Sequence, residues 1–120
     1  MIDVVARITR QQIADLLVTA FEGGINYWCD RVSVKRENGQ RLSDNQIVDN
    51  PDWLPGCQFT FRDAEDGTEH TIWFGSFKTA LEKMAEKHPK HFSDILNDNH
   101  DADTADVLVQ LAVFGELVYG

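Results

Sequence analysis

Residues 57–74 decide the fold of this chain: Cys57-Gln58-Phe59-Thr60-Phe61-Arg62, then Ala64-Glu65-Asp66-Gly67, then Thr71-Ile72-Trp73-Phe74. Cys57, Phe59 and Phe61 alternate with Gln58, Thr60 and Arg62, the period of a strand with one apolar face. The Asp-Gly dipeptide marks a turn, and the β-branched and aromatic run after it reads as the returning strand of a hairpin. Upstream, Ile25 to Val34 is rich in aromatic and β-branched residues and reads as another strand, closed by the turn dipeptide Asn38-Gly39. Val4 to Ile8 is a short β-branched run that reads as a strand before the first helix.

Helical patterns flank these strands. Thr9 and Gln12 have the spacing of a capping box, and Ile13, Leu16, Leu17 and Ala20 share one helical face. Gly23-Gly24 supplies a stop that can take positive φ, so the spacing predicts a helix over 10–22. Residues 41–56 are polar, carry Pro51 and Pro55, and read as a loop with at most a short strand at Ile47-Val48. Ser76 reads as the cap of a helix carrying Phe77, Ala80, Leu81 and Met84, which Pro89 ends near His88. Pro89 also suits the first turn of a helix over His91 to Leu96. After a polar connector, Asp103 or Thr104 reads as the cap of a last helix bearing Val107, Leu108, Leu111, Ala112, Phe114 and Leu117, interrupted by Gly115. The order β-α-β-β-β-α-α-α predicts one α+β domain over 1–120. Its small antiparallel sheet has three to four strands, with three to four helices packed mainly on one face.

The charge is uneven. Of 120 residues, 20 are Asp or Glu and 11 are Lys or Arg, for a net charge of −9. Residues 1–90 hold 14 acids and all 11 bases, while residues 91–120 hold six acids and no Lys or Arg. An acidic surface argues against direct binding to phosphate backbones, since affinity there comes from cations. No apolar stretch approaches the roughly 20 residues that cross a bilayer. The start Met-Ile-Asp-Val-Val lacks the basic region of a signal peptide, and two cysteines at no metal-type spacing read as reduced thiols, so the expected location is the cytoplasm.

Catalytic and metal patterns are weak. His88 and His91 have a helical ligand spacing, but Pro89 lies between them and only His70 and Cys29 offer themselves as further ligands. Asn97-Asp98-Asn99-His100-Asp101-Ala102-Asp103 is acidic enough for calcium, yet an EF-hand register finds neither its glycine nor its closing glutamate. No nucleophile elbow or phosphate-binding glycine loop is present. The sequence therefore assigns no catalytic residue, metal or cofactor. Two binding regions stand out instead. Asp94, Asp98, Asp101, Asp103 and Asp106 cluster without a compensating cation and read as an electrostatic surface for a basic partner. Glu22, Gly23, Gly24, Asn26, Tyr27, Trp28 and Trp53 combine permissive glycines with aromatic rings and read as a small-ligand pocket.

Ala20-Phe21-Glu22-Gly23-Gly24-Ile25-Asn26-Tyr27-Trp28-Cys29 resembles a segment of small uncharacterised acidic proteins of phages and prophages. Asp103-Thr104-Ala105-Asp106 and Gln110-Leu111-Ala112-Val113-Phe114-Gly115-Glu116 resemble the same group. The resemblance implies a mobile-element origin and brings no catalytic residue with it. Small acidic phage accessory proteins include host-defence inhibitors, some of which mimic DNA. The expectation is thus a binding protein in the host cytoplasm. Its partner would be a protein, such as a basic nucleic-acid-binding one, with self-association through an uncovered sheet or helix face as a further option.

Overall fold

The computed structural model describes residues 7–120. The predicted strand at Val4–Ile8 falls mostly outside them, and residues 7–9 are not strand. Helix α1 (Arg10–Thr19) starts on the predicted capping box: the Thr9 hydroxyl accepts from the Gln12 amide, and the Gln12 side chain accepts from the Thr9 amide. The helix widens into a π-type turn over Ala20–Gly24. Strand β1 (Cys29–Lys35) follows. Residues 41–56, expected to be loop, form helix α2 (Asp44–Asp49) and a 3-10 turn over Pro51–Gly56. The overlooked signal is a second capping box, Ser43 with Gln46, which closes both orphan amides of that short helix. Strands β2 (Gln58–Asp63) and β3 (Glu69–Trp73) form the predicted hairpin, followed by α3 (Gly75–Lys87), α4 (Pro89–Leu96) and α5 (Ala102–Phe114).

The three strands pair antiparallel in the order β1-β2-β3. Val34, Phe59 and Ile72 share one row and Val32, Phe61 and His70 the next, and these rows face the helices. Phe59 meets Phe77 of α3 edge-on at 5.1 Å, Phe61 packs with Phe21 at 6.1 Å, and His70 meets Phe114 of α5 at 5.1 Å. The helices therefore cover one face, and the rows through Arg31, Ser33 and Lys35 lie on the other. A register shift between Cys29 and Arg31 reverses the alternation at the start of β1, so Cys29 is buried while Arg31 is exposed.

Several boundaries differ from the sequence reading. Residues 25–28 form a turn in which the Trp28 and Cys29 amides donate to the Ile25 carbonyl, so the strand starts four residues later than Ile25. Helix α3 begins at Gly75, and no side chain caps it at Phe74. The cap of α5 is Asp101, whose carboxylate accepts from the Thr104 amide at 2.9 Å, not Asp103 or Thr104. Gly115, at φ 77, ends α5, and Leu117 lies beyond it, exposed. Among the described residues no helix is long and apolar enough to cross a membrane.

Neither Gly23 nor Gly24 has positive φ. Gly24 is required for a different reason: a Cβ there would sit 2.7 Å from the backbone oxygen of Ala102, at the start of α5, whereas a Cβ on Gly23 would meet nothing within 4 Å. The expected outcome is that Gly24→Ala destabilises by about 1–3 kcal/mol, as overpacking against backbone does, while Gly23→Ala is neutral or slightly stabilising. Chemical denaturation of both variants checks this, and equal effects at the two positions would refute the close approach.

Candidate functional site

Residues 20–29 and residues 103–116 meet in space. Asp106 on α5 is the junction. Its Oδ2 accepts the Tyr27 hydroxyl at 2.6 Å, and its Oδ1 accepts the Trp28 indole N–H at 2.8 Å and the Gln110 amide at 2.9 Å. Gln110, 1% exposed in the apolar run Val107–Leu111, completes the arrangement: its Oε1 accepts from the Val118 and Tyr119 amides, each at 2.9 Å. The tail is thereby turned back so that the Tyr119 ring stacks on Trp28 at 5.6 Å, and the Tyr119 hydroxyl donates to Asp63 and Glu65. Asp63 is itself buried at the end of β2.

This geometry redistributes the predicted acidic surface. Asp106 and Asp101 are engaged within the fold, one holding the aromatic turn and the other capping α5. The bond from the Thr104 amide holds the Asp101 carboxyl below its ordinary pKa, so it stays charged while capping. Asp98 takes positive φ and accepts from Gln12 Nε2 at 3.0 Å, tying the α4–α5 connector to α1. Asp98 and Asp103 remain exposed and Asp94 half-exposed, so the connector still presents carboxylates to solvent.

The predicted pocket does not form as one site. Trp28 is buried, whereas Tyr27 is 56% exposed. Trp53 belongs to a different cleft, about 300 Å³, lined with Arg36, Glu37 and Asp52, and the Arg36 guanidinium lies 4.0 Å above its ring. Asn26 lines a third region, a cleft of about 250 Å³ between Phe21, Asp30, Leu42 and Asp44. Glu22 and Gly23 are exposed, and Gly24 packs on Ala102. The reading failed because it treated residues 25–28 as strand: the turn sends Trp28 inward and separates the rings. Gln110, Asp63 and Tyr119 were missed, although a lone glutamine among Val107, Leu108, Val109 and Leu111 is itself a sign of a buried polar anchor.

The thiols are poor nucleophiles. Cys29 and Cys57 are free and buried, and burial raises both pKa values above the ordinary thiol range, favouring the unreactive neutral form. His91 Nδ1 lies 2.9 Å from the Thr104 hydroxyl and links α4 to α5. Among the described residues no three His, Cys, Asp or Glu side chains converge as metal ligands. No family model, curated protein or solved structure matches this chain.

Partial burial and then the bond to the Asp106 carboxylate push the Tyr27 pKa up to about 12, and the bond to Asp63 raises that of Tyr119. Folding thus favours both neutral phenols. Their contribution is fully present below the ordinary tyrosine value of about 10. For Tyr27 it is lost as the pH rises through about 12. Ultraviolet titration is expected to show neither tyrosine ionising near pH 10 in the folded protein, and Asp106→Asn should bring one of them down. With Tyr119→Phe leaving Tyr27 as the one tyrosine, titration at the ordinary pKa in the folded variant would contradict the Asp106 contact.

Proposed function

We propose that this protein acts by binding another protein, as an accessory factor of a phage or other mobile element, and that the acidic end formed by α4, the connector and α5 engages a basic, nucleic-acid-binding partner of the host. The observation that carries this reading is the surplus of uncompensated carboxylates. Two ion pairs form among the described residues, Arg10 with Asp52 and Arg62 with Asp30, against 20 acids in the chain. Lys90, at the start of α4, is the one Lys or Arg in α4, the connector and α5, set against the outward carboxylates of Asp94, Asp98 and Asp103. Such a surface attracts a cationic protein over long range, speeds encounter, and loses that advantage as salt rises. The resemblance to acidic phage proteins points the same way by analogy of class.

Asp94 and Asp103 make no side-chain bond within the fold, and the one that Asp98 accepts from Gln12 can still be accepted by an asparagine oxygen, which gives a test. Asp94→Asn, Asp98→Asn and Asp103→Asn together remove three charges while sparing the Asp101 cap and the Asp106 junction; asparagine also tolerates the positive φ at 98. Titrations against purified basic DNA- and RNA-binding proteins of the host, at low and moderate salt, are expected to find a salt-sensitive complex that the triple variant weakens about tenfold or more. Absence of such a complex across the panel, or a complex indifferent to the triple variant, would overturn the proposal.

A further inference from the structure

The sheet face turned away from the helices gathers cations that the sequence scatters. The register sets Arg31 opposite Arg62, and an isolated bridge sets Lys35 opposite Arg41. These four are more than a third of the 11 Lys and Arg in a chain of net charge −9. All four line one shallow cleft of about 150 Å³, with Ser33 and Thr60 between the two pairs. Two acids reach the same region: Glu69, in register with Arg62, and Asp30, 3.3 Å from Arg62 Nε.

Like charges directly opposite across strands are destabilising. Here the arrangement occurs twice, in a chain with acids to spare. Asp30 and Glu69 offset part of the charge at the Arg31–Arg62 pair, whereas no acid of the cleft stands against Lys35 and Arg41, and an anionic ligand would relieve that pair. The Ser33 hydroxyl is buried on this face without a hydrogen-bond partner. Thr60 and Thr71 continue its row, their hydroxyls 3.1 Å apart. The next row runs Lys35, Gln58, Trp73, and Trp73 is 59% exposed at the sheet edge.

Arginine forks and lysine bind phosphate oxygens. At a strand rise of about 3.3 Å per residue, Arg31 and Lys35 stand about 13 Å apart. One phosphate cannot reach both cation pairs, but a chain of phosphates can. An exposed indole beside them offers a surface for base stacking, and an open sheet accommodates unstacked bases rather than a duplex. We propose that the open sheet face binds single-stranded nucleic acid, with Arg31, Arg62, Lys35 and Arg41 along the phosphates and Trp73 under a base. The net charge averages this face away, which is why the composition points against such binding. The inference stands independently of the acidic-end reading.

Fluorescence anisotropy with short labelled oligothymidine and oligouridine tests it. Binding is expected at low salt, with a slope of log affinity against log salt of no more than about −3 for four cations. The double variant Arg31→Gln, Lys35→Gln should weaken binding about tenfold or more, and Trp73→Ala by about fivefold or more. The triple variant at Asp94, Asp98 and Asp103 should not weaken it, and a duplex of the same sequence should bind less well. No binding at low salt would overturn the proposal, as would affinity unchanged in both sheet-face variants. Polyglutamate binding as tightly as the oligonucleotides would also overturn it, and would assign the face to an acidic protein segment.

Discussion

The carboxylate of Asp106 is the contact on which the arrangement of this molecule turns. Three donors from two separate parts of the chain converge on it: the Tyr27 hydroxyl, the Trp28 indole and the Gln110 amide. A charged acceptor satisfying a buried N–H contributes about 1.5–3 kcal/mol per bond, and leaving that donor unmet costs a similar amount. With Trp28 fixed, β1 starts at the correct point, and its ring offers the surface on which Tyr119 stacks. Gln110, one turn along α5, holds the tail amides and so delivers the Tyr119 hydroxyl to Asp63 at the end of β2. The last helix, the turn before β1, the tail and the sheet are joined through one side chain and its neighbour.

That role changes the meaning of the acidity. A cluster of five aspartates reads in the sequence as one electrostatic surface, yet its members do different work. Asp106 anchors an aromatic turn, Asp101 caps a helix, and Asp98 joins the connector to α1. Asp94 and Asp103 make no comparable bond, and with Asp98 they give the helical end its outward charge. The sheet face turned away from the helices carries Arg31, Lys35, Arg41 and Arg62 against Asp30 and Glu69. Four cations thus gather on the bare sheet and three outward carboxylates on α4, the connector and the start of α5, and the net charge reports the balance rather than the layout.

Much of the fold was legible because its signals are local. The Thr9 capping box, the alternation in Gln58–Arg62, the Asp66-Gly67 turn and the stop at Pro89 each act within a few residues, and each appears where the spacing places it. The short helices after Ser43 were equally local but masked by two prolines, both of which a 3-10 turn accommodates. The candidate pocket failed for a non-local reason. Whether Trp28 points inward depends on Asp106, 78 residues away, and whether Trp53 joins it depends on how the segment after β1 folds. The cationic face was hidden in the same way, since cross-strand register brings together Arg31 with Arg62 and Lys35 with Arg41.

A double-mutant cycle between Asp106→Asn and Trp28→Phe, read by urea unfolding, tests the junction most directly. Asparagine keeps the shape of the acceptor but lacks its charge, and phenylalanine keeps an aromatic ring but lacks the indole N–H. If Asp106 holds the turn through that bond, the two changes couple by about 1–2 kcal/mol. Effects that add to within about 0.3–0.5 kcal/mol would show that the two side chains act independently. The account of Asp106 as the contact joining the two halves of the chain would then be wrong.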